Sequence, residues 1–188
     1  MPKIVEDETI YRATVQMVIE RGYAGATTKQ IAEAAGTSEV TLFRKYGNKA
    51  QLVKQAIAAT LEQMDIESTT FYSGDAAADL LRVVQRYQET ADKSGQFFAI
   101  AMTEMPRYPE LADVLHKPLN VMSSIGALLA RYQAEGVLRT EHPLHAVAAL
   151  LGPLNSATMI RAASLEDALP PIDLQSHVAL YLNGRIRS

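Results

Sequence analysis

Apolar residues recur at three- and four-residue spacing along most of this chain, and no stretch alternates with a period of two. Ile10, Ala13, Thr14, Met17 and Val18 share one face of a first helix over about residues 7–21, which Gly22 ends. A longer helix opens at Asn48, with Gln51 three positions on as the second half of a capping box. Its apolar line runs through Val53, Ala56, Ile57, Leu61 and Met64, and it fades into the turn-rich stretch 67–74, the clearest internal boundary. Asp75 then caps a helix to about residue 92 that turns Leu80, Leu81, Val84 and Tyr87 inward. Lys93, Ser94 and Gly95 predict a break before an apolar segment over 96–105. A short helix follows from Tyr108, then a long one over 118–134. Pro143 suits the first position of the next helix, to about 163, with a kink expected at Pro153. A last helix over about 173–183 carries Leu174, Val178, Tyr181 and Leu182. The pattern predicts an all-α protein of about nine helices.

The most heavily punctuated stretch is 27–49. Thr27 with Gln30 reads as a capping box, in which hydroxyl and amide each satisfy a free backbone group of the first turn. Ile31, Ala32, Ala34 and Ala35 make a short helix with a face small enough for close packing. Gly36 stops it, because a helix commonly ends on a left-handed residue. Ser38 caps a second short helix over 39–45, anchored inward by Leu42. Helix, glycine-containing turn, helix is the helix-turn-helix arrangement, whose second helix enters a DNA major groove.

Gly22-Tyr23, Thr27-Thr28, Ile31-Ala32, Ala35-Gly36, Ser38, Thr41-Leu42-Phe43, Tyr46 and Lys49 stand at the spacing of the tetracycline-repressor (TetR) family, and the chain closely resembles that family over roughly residues 8–57. Three positions depart from it. The family usually has Tyr then Phe where this chain has Phe43 and Tyr46, which bears on the phosphate contact commonly made by that Tyr hydroxyl. It often has Gly where this chain has Val40. The resemblance implies a DNA-binding domain over 1–52 and an effector-binding and dimerisation domain over 53–188. It also implies a one-component regulator, a repressor, that binds a palindromic DNA operator as a homodimer and is released by a small molecule.

The candidate DNA contacts are Thr27, Thr28, Lys29, Ser38, Glu39, Val40, Thr41, Arg44, Lys45, Tyr46 and Lys49. Glu39 can accept from cytosine, Val40 and the Thr41 methyl can meet a thymine methyl, and Arg44 can pair with guanine. Lys45 and Lys49 suit phosphates, as does the helix start at Thr27 and Thr28. Capping alone is the competing role for Thr27 and Ser38, and packing under the turn for Tyr46. Leu42 and Phe43 are expected in the core.

Composition changes this picture little. Net charge is −3, but residues 1–49 hold seven Lys/Arg against six Asp/Glu, and the remainder eleven against fifteen. Without Cys there is no disulfide framework and no thiolate metal site, which suits a cytoplasmic protein. No apolar run reaches the ~18 residues of a membrane span; the longest, at 147–154, is interrupted by Gly152-Pro153. Glu141, His142 and His145 have a metal-like spacing but no further ligand set, and no nucleophile elbow or phosphate loop is present. No catalytic residue, metal or cofactor is expected.

Tyr87, Phe97, Phe98, Met102, Met105, Met122, Asn155 and Met159 could line an effector pocket, with core filling the alternative for each. Their composition points to a mainly apolar effector. Leu144, Val147, Leu151, Leu174, Val178 and Tyr181, on the last two helices, are the candidate dimer face. Two other classes remain open: a helical-bundle enzyme or metal-binding protein, and a helix-turn-helix protein with no small-molecule effector.

Overall fold

The computed structural model describes residues 5–104, 107–111, 116–162 and 169–185, and all structural statements below concern these. Eight α-helices follow one another: α1 (Asp7–Gly25), α2 (Thr28–Ala35), α3 (Glu39–Tyr46), α4 (Lys49–Met64), α5 (Ala76–Glu104), α6 (His116–Ala134), α7 (Pro143–Ala162) and α8 (Leu174–Asn183). A 3-10 turn, Glu67–Thr69, lies between α4 and α5, and the described residues contain no strand. The chain divides into two compact units, Met1–Gln63 with Gln96–Lys117 and Met64–Gly95 with Pro118–Ser188. The boundary expected after residue 52 falls inside α4.

In the first unit α1, α2, α3 and the start of α4 enclose one core. Ile10 and Ala13 meet Ile31, Ala32 and Ala35, with Leu42, Tyr46 and Leu52 closing it. Ile31 and Leu42 are almost wholly buried, so each contributes roughly 1.5–3 kcal/mol. The helix ends are set locally. Gly22 interrupts α1 at a φ of 67°, as its position in the sequence predicts. Asn48 accepts the backbone N–H of Gln51 to open α4.

The second unit is built on α5, α6, α7 and α8. Leu80, Val83 and Val84 pack with Ile125, Leu128, Leu129 and Tyr132, with Ala146, Val147, Leu150, Leu151 and Leu154, and with Val178, Tyr181 and Leu182. The break predicted at Lys93–Gly95 does not occur, and α5 runs on through it for 29 residues. Gly95 is needed for another reason: a Cβ there would stand 2.4 Å from Thr158 Cγ2, so the glycine makes room for α7. Close approach, rather than helix termination, explains the residue.

Four of the six residues expected on a dimer face are buried within the single chain. Val147 and Leu151 are fully enclosed, Val178 and Tyr181 nearly so, and the Tyr181 hydroxyl donates to Ala146 O at 3.1 Å. Leu174 packs partly against the same core, and only Leu144 is exposed. The reason is that α7 is apolar around its circumference, so spacing cannot say which face turns inward.

Candidate nucleic-acid interface

Local capping holds the two short helices. Thr27 accepts the backbone N–H of Gln30, and Gln30 Oε1 in turn accepts the backbone N–H of Thr27 at 3.2 Å. Both halves of the predicted capping box are therefore made. Gly36 closes α2 in the left-handed region, with φ 68° and ψ 33°. Ser38 Oγ accepts the N–H of Thr41 at 3.2 Å and lies 2.9 Å from the Thr41 hydroxyl. The turn between the helices is thus fixed at one end by the left-handed backbone of Gly36 and at the other by the Ser38 side chain.

A further bond joins the helices directly. The Thr28 hydroxyl donates to Glu39 Oε1 at 2.5 Å, holding one carboxylate oxygen against the start of α2. From α3, Leu42 and Tyr46 point into the core, while Val40, Phe43, Arg44 and Lys45 are exposed. Phe43, expected in the core, is 47% exposed, because Leu42 and Tyr46, four residues apart, already occupy the inward stripe.

The remaining candidates divide by what they touch. Tyr46 packs under the turn, 6% exposed, and its hydroxyl donates to Asp7. Burial, then Asp7, push that hydroxyl far above the usual tyrosine range, so it stays protonated as a donor. Lys45 forms an ion pair with the same Asp7. The Asp7 carboxyl is held below its ordinary range by hydrogen bonds from Lys45 and Tyr46, against a smaller opposing effect of burial. Lys49 donates to Tyr23 O at 2.8 Å and sits 4.3 Å above that ring, so its ammonium has partners inside the unit. The ring in turn meets Tyr108 edge-on at 4.5 Å, and its hydroxyl donates to Glu110. Burial, with Glu110 adding to it, raises the Tyr23 hydroxyl to about 12. Thr27, Lys29 and Arg44 are exposed, and neither Lys29 nor Arg44 makes an ion pair among the described residues. No sequence signal distinguishes Lys45 and Lys49 from free cations, because their partners lie 38 and 26 residues away along the chain.

The effector candidates are less gathered. Phe97 is buried and belongs to the first unit; Tyr87, Met122, Asn155 and Met159 belong to the second. There the Tyr87 hydroxyl donates to Asn155 Oδ1 at 2.6 Å, Met122 packs partly on the core, and Met159 is 59% exposed. Phe98 and Met102 lie on α5 with side chains outside those described, and Met105 lies outside the described residues. Glu141, of the metal-like spacing, instead accepts from Arg185 at 2.8 Å, while His142 Nδ1 accepts the N–H of Leu144 at the start of α7.

Two short helices capped through a left-handed glycine, the second anchored by Leu42 and Tyr46 and exposed beyond them, define a helix-turn-helix DNA-binding protein. Residues 10–56 match the model of bacterial regulatory proteins of the tetR family. An uncharacterized HTH-type transcriptional regulator of Bacillus subtilis is 27% identical over 142 residues, covering 71% of each chain. An HTH-type transcriptional repressor of Mycobacterium tuberculosis is 27% identical over 169 residues, 90% of this chain and 82% of its own. The fatty acid degradation regulator of Bacillus halodurans has a similar fold, with a TM-score of 0.70, 21% identity and coverage of 97% and 95%. Residues 10–56 thus carry a TetR-family DNA-binding domain, and the relatives matched over most of the chain are transcriptional regulators. No helix among the described residues is long and apolar enough to cross a membrane.

Proposed function

We propose that this regulator is a cytoplasmic repressor that binds a palindromic operator as a homodimer and leaves it when a small, mainly apolar effector binds. The observation that carries the reading is the outward face of α3, where Val40, Phe43 and Arg44 stand exposed while Glu39 and Thr41 are engaged with Thr28 and Ser38. The repressor assignment is supported by the Mycobacterium tuberculosis relative, which bears that name. The apolar effector is supported by the apolar character of Tyr87, Phe97 and Met122 among the candidate residues and by the fold neighbour named for fatty acid degradation. Effector binding favours the state of the dimer that does not hold the operator, to the extent that it binds that state more tightly.

The dimer face we assign is the exposed side of α7 and α8, not the buried stripe. Leu144, Ala148, Asn155 and Met159 recur at intervals of four and seven along α7, and Ala179 and Leu180 stand out from α8. Leu144, Met159 and Leu180 are 44%, 59% and 72% exposed, large apolar side chains that a second copy would cover. Selection from a random duplex library, followed by thermal-shift and release assays with an apolar panel including fatty acids, tests the reading. A palindromic site and a ligand that both raises the melting point with the logarithm of its concentration and frees the DNA are expected. Release by a sugar phosphate or a metal ion, with the apolar panel inert, would overturn the effector assignment.

A further inference from the structure

The most exposed large apolar side chain among the described residues is Val40, at 75%, in the first turn of α3. Nothing in the fold accounts for a β-branched side chain there, since Leu42 and Tyr46 supply the inward anchors and Val40 belongs to neither core cluster. Its polar neighbours are already engaged. Glu39 accepts from Thr28, and the Thr41 hydroxyl lies within hydrogen-bond distance of Ser38 Oγ. Arg44, one turn further along the same face, is exposed and makes no ion pair among the described residues. The foremost part of the helix therefore offers an apolar tip with a free cation behind it.

A duplex gives such a tip little choice of partner. Phosphates and sugars at the groove edge are charged or polar, and most of the major-groove base edge consists of hydrogen-bond donors and acceptors. The apolar group in that groove is the C5 methyl of thymine. We propose that Val40 is a specificity-determining residue, reading one thymine in each half-site through that methyl group; the inference rests on the operator reading above. Burying about one methyl group's worth of apolar surface per half-site corresponds to roughly a fourfold gain in affinity. The contact adds discrimination without adding charge, so it leaves the salt dependence unchanged.

The test uses the full chain and a duplex selected by it from a random library. Each thymine is replaced in turn by deoxyuridine, symmetrically in both half-sites, and affinity is measured by fluorescence anisotropy for the natural chain and for Val40→Ala. One position per half-site is expected where loss of the methyl weakens the natural chain by about fourfold per half-site and leaves Val40→Ala unaffected. Because the residue is exposed, Val40→Ala should keep its helicity and its salt slope. A natural chain indifferent to every replacement, or a penalty that persists in full in Val40→Ala, overturns the assignment while leaving the operator reading intact. Failure to select any preferred duplex overturns both.

Discussion

The Tyr132 hydroxyl donates to Asp79 Oδ2 across 2.6 Å in the interior of the second unit, joining the last turn of α6 to the first turn of α5. Asp79 also accepts from the Ser73 amide at 2.8 Å, the Ser73 hydroxyl at 2.5 Å and Arg82 at 2.9 Å. Its side chain is fully buried. Burial alone would raise its pKa, but these four hydrogen bonds overcome it and hold the carboxyl at about 2. The ordinary unfolded value is about 3.9, so the folded pKa is depressed and the ionised form stabilises the fold above that value.

Stability should therefore fall as the pH drops from about 4 towards 2, by up to about 2–3 kcal/mol from this group. Urea unfolding across that range measures it, and Asp79→Asn should flatten the profile while lowering stability at neutral pH. An unchanged acid limb in Asp79→Asn would remove the carboxyl from the account.

Gly95→Ala should destabilise the second unit despite the better helix propensity of Ala. The new Cβ would collide with Thr158 Cγ2, and overpacking of this kind costs about 1–3 kcal/mol against a propensity gain of about 1 kcal/mol. Thr158→Ser removes the colliding methyl while keeping the hydroxyl that donates to Leu154 O. Combined with Gly95→Ala, it should restore most of the loss in thermal unfolding.

Leu180→Asp should yield folded monomers, whereas Val178→Asp should unfold the second unit. Leu180 is exposed in the single chain, and Val178, two residues earlier on α8, is buried in the core. Sedimentation and circular dichroism together separate the outcomes; helical dimers from Leu180→Asp would place the dimer face elsewhere.

Lys45→Ala should weaken binding to all duplexes and reduce the salt slope by about one per lost phosphate contact. Lys49→Ala should instead lower the stability of the first unit by about 1–2 kcal/mol, through loss of its bond to Tyr23 O and its place over the ring. Anisotropy at several salt concentrations, set beside urea unfolding, distinguishes the two lysines.

The helix-turn-helix was legible because its signals are local. Thr27, Gly36 and Ser38 act on backbone groups within four residues, so their types and spacing suffice to place both helices. Where a residue's role depends on a distant partner, the sequence misleads. Gly95 reads as a stop signal because Thr158 is 63 positions away, and Tyr46 reads equally as a phosphate donor or a ring packed under the turn because Asp7 lies 39 positions upstream. The inward face of α7 was not legible at all, since Leu144, Val147, Leu151 and Met159 are chemically alike and only packing ranks them.

The notch at Gly95 also makes residues 95 and 158 a matched pair. A Cβ at position 95 would lie 2.4 Å from Thr158 Cγ2 and 3.8 Å from the Cβ of Ala91, so the volume open to the two residues is shared. A methyl group can be added at one position only if it is given up at the other, and the two sites are therefore free to change only together.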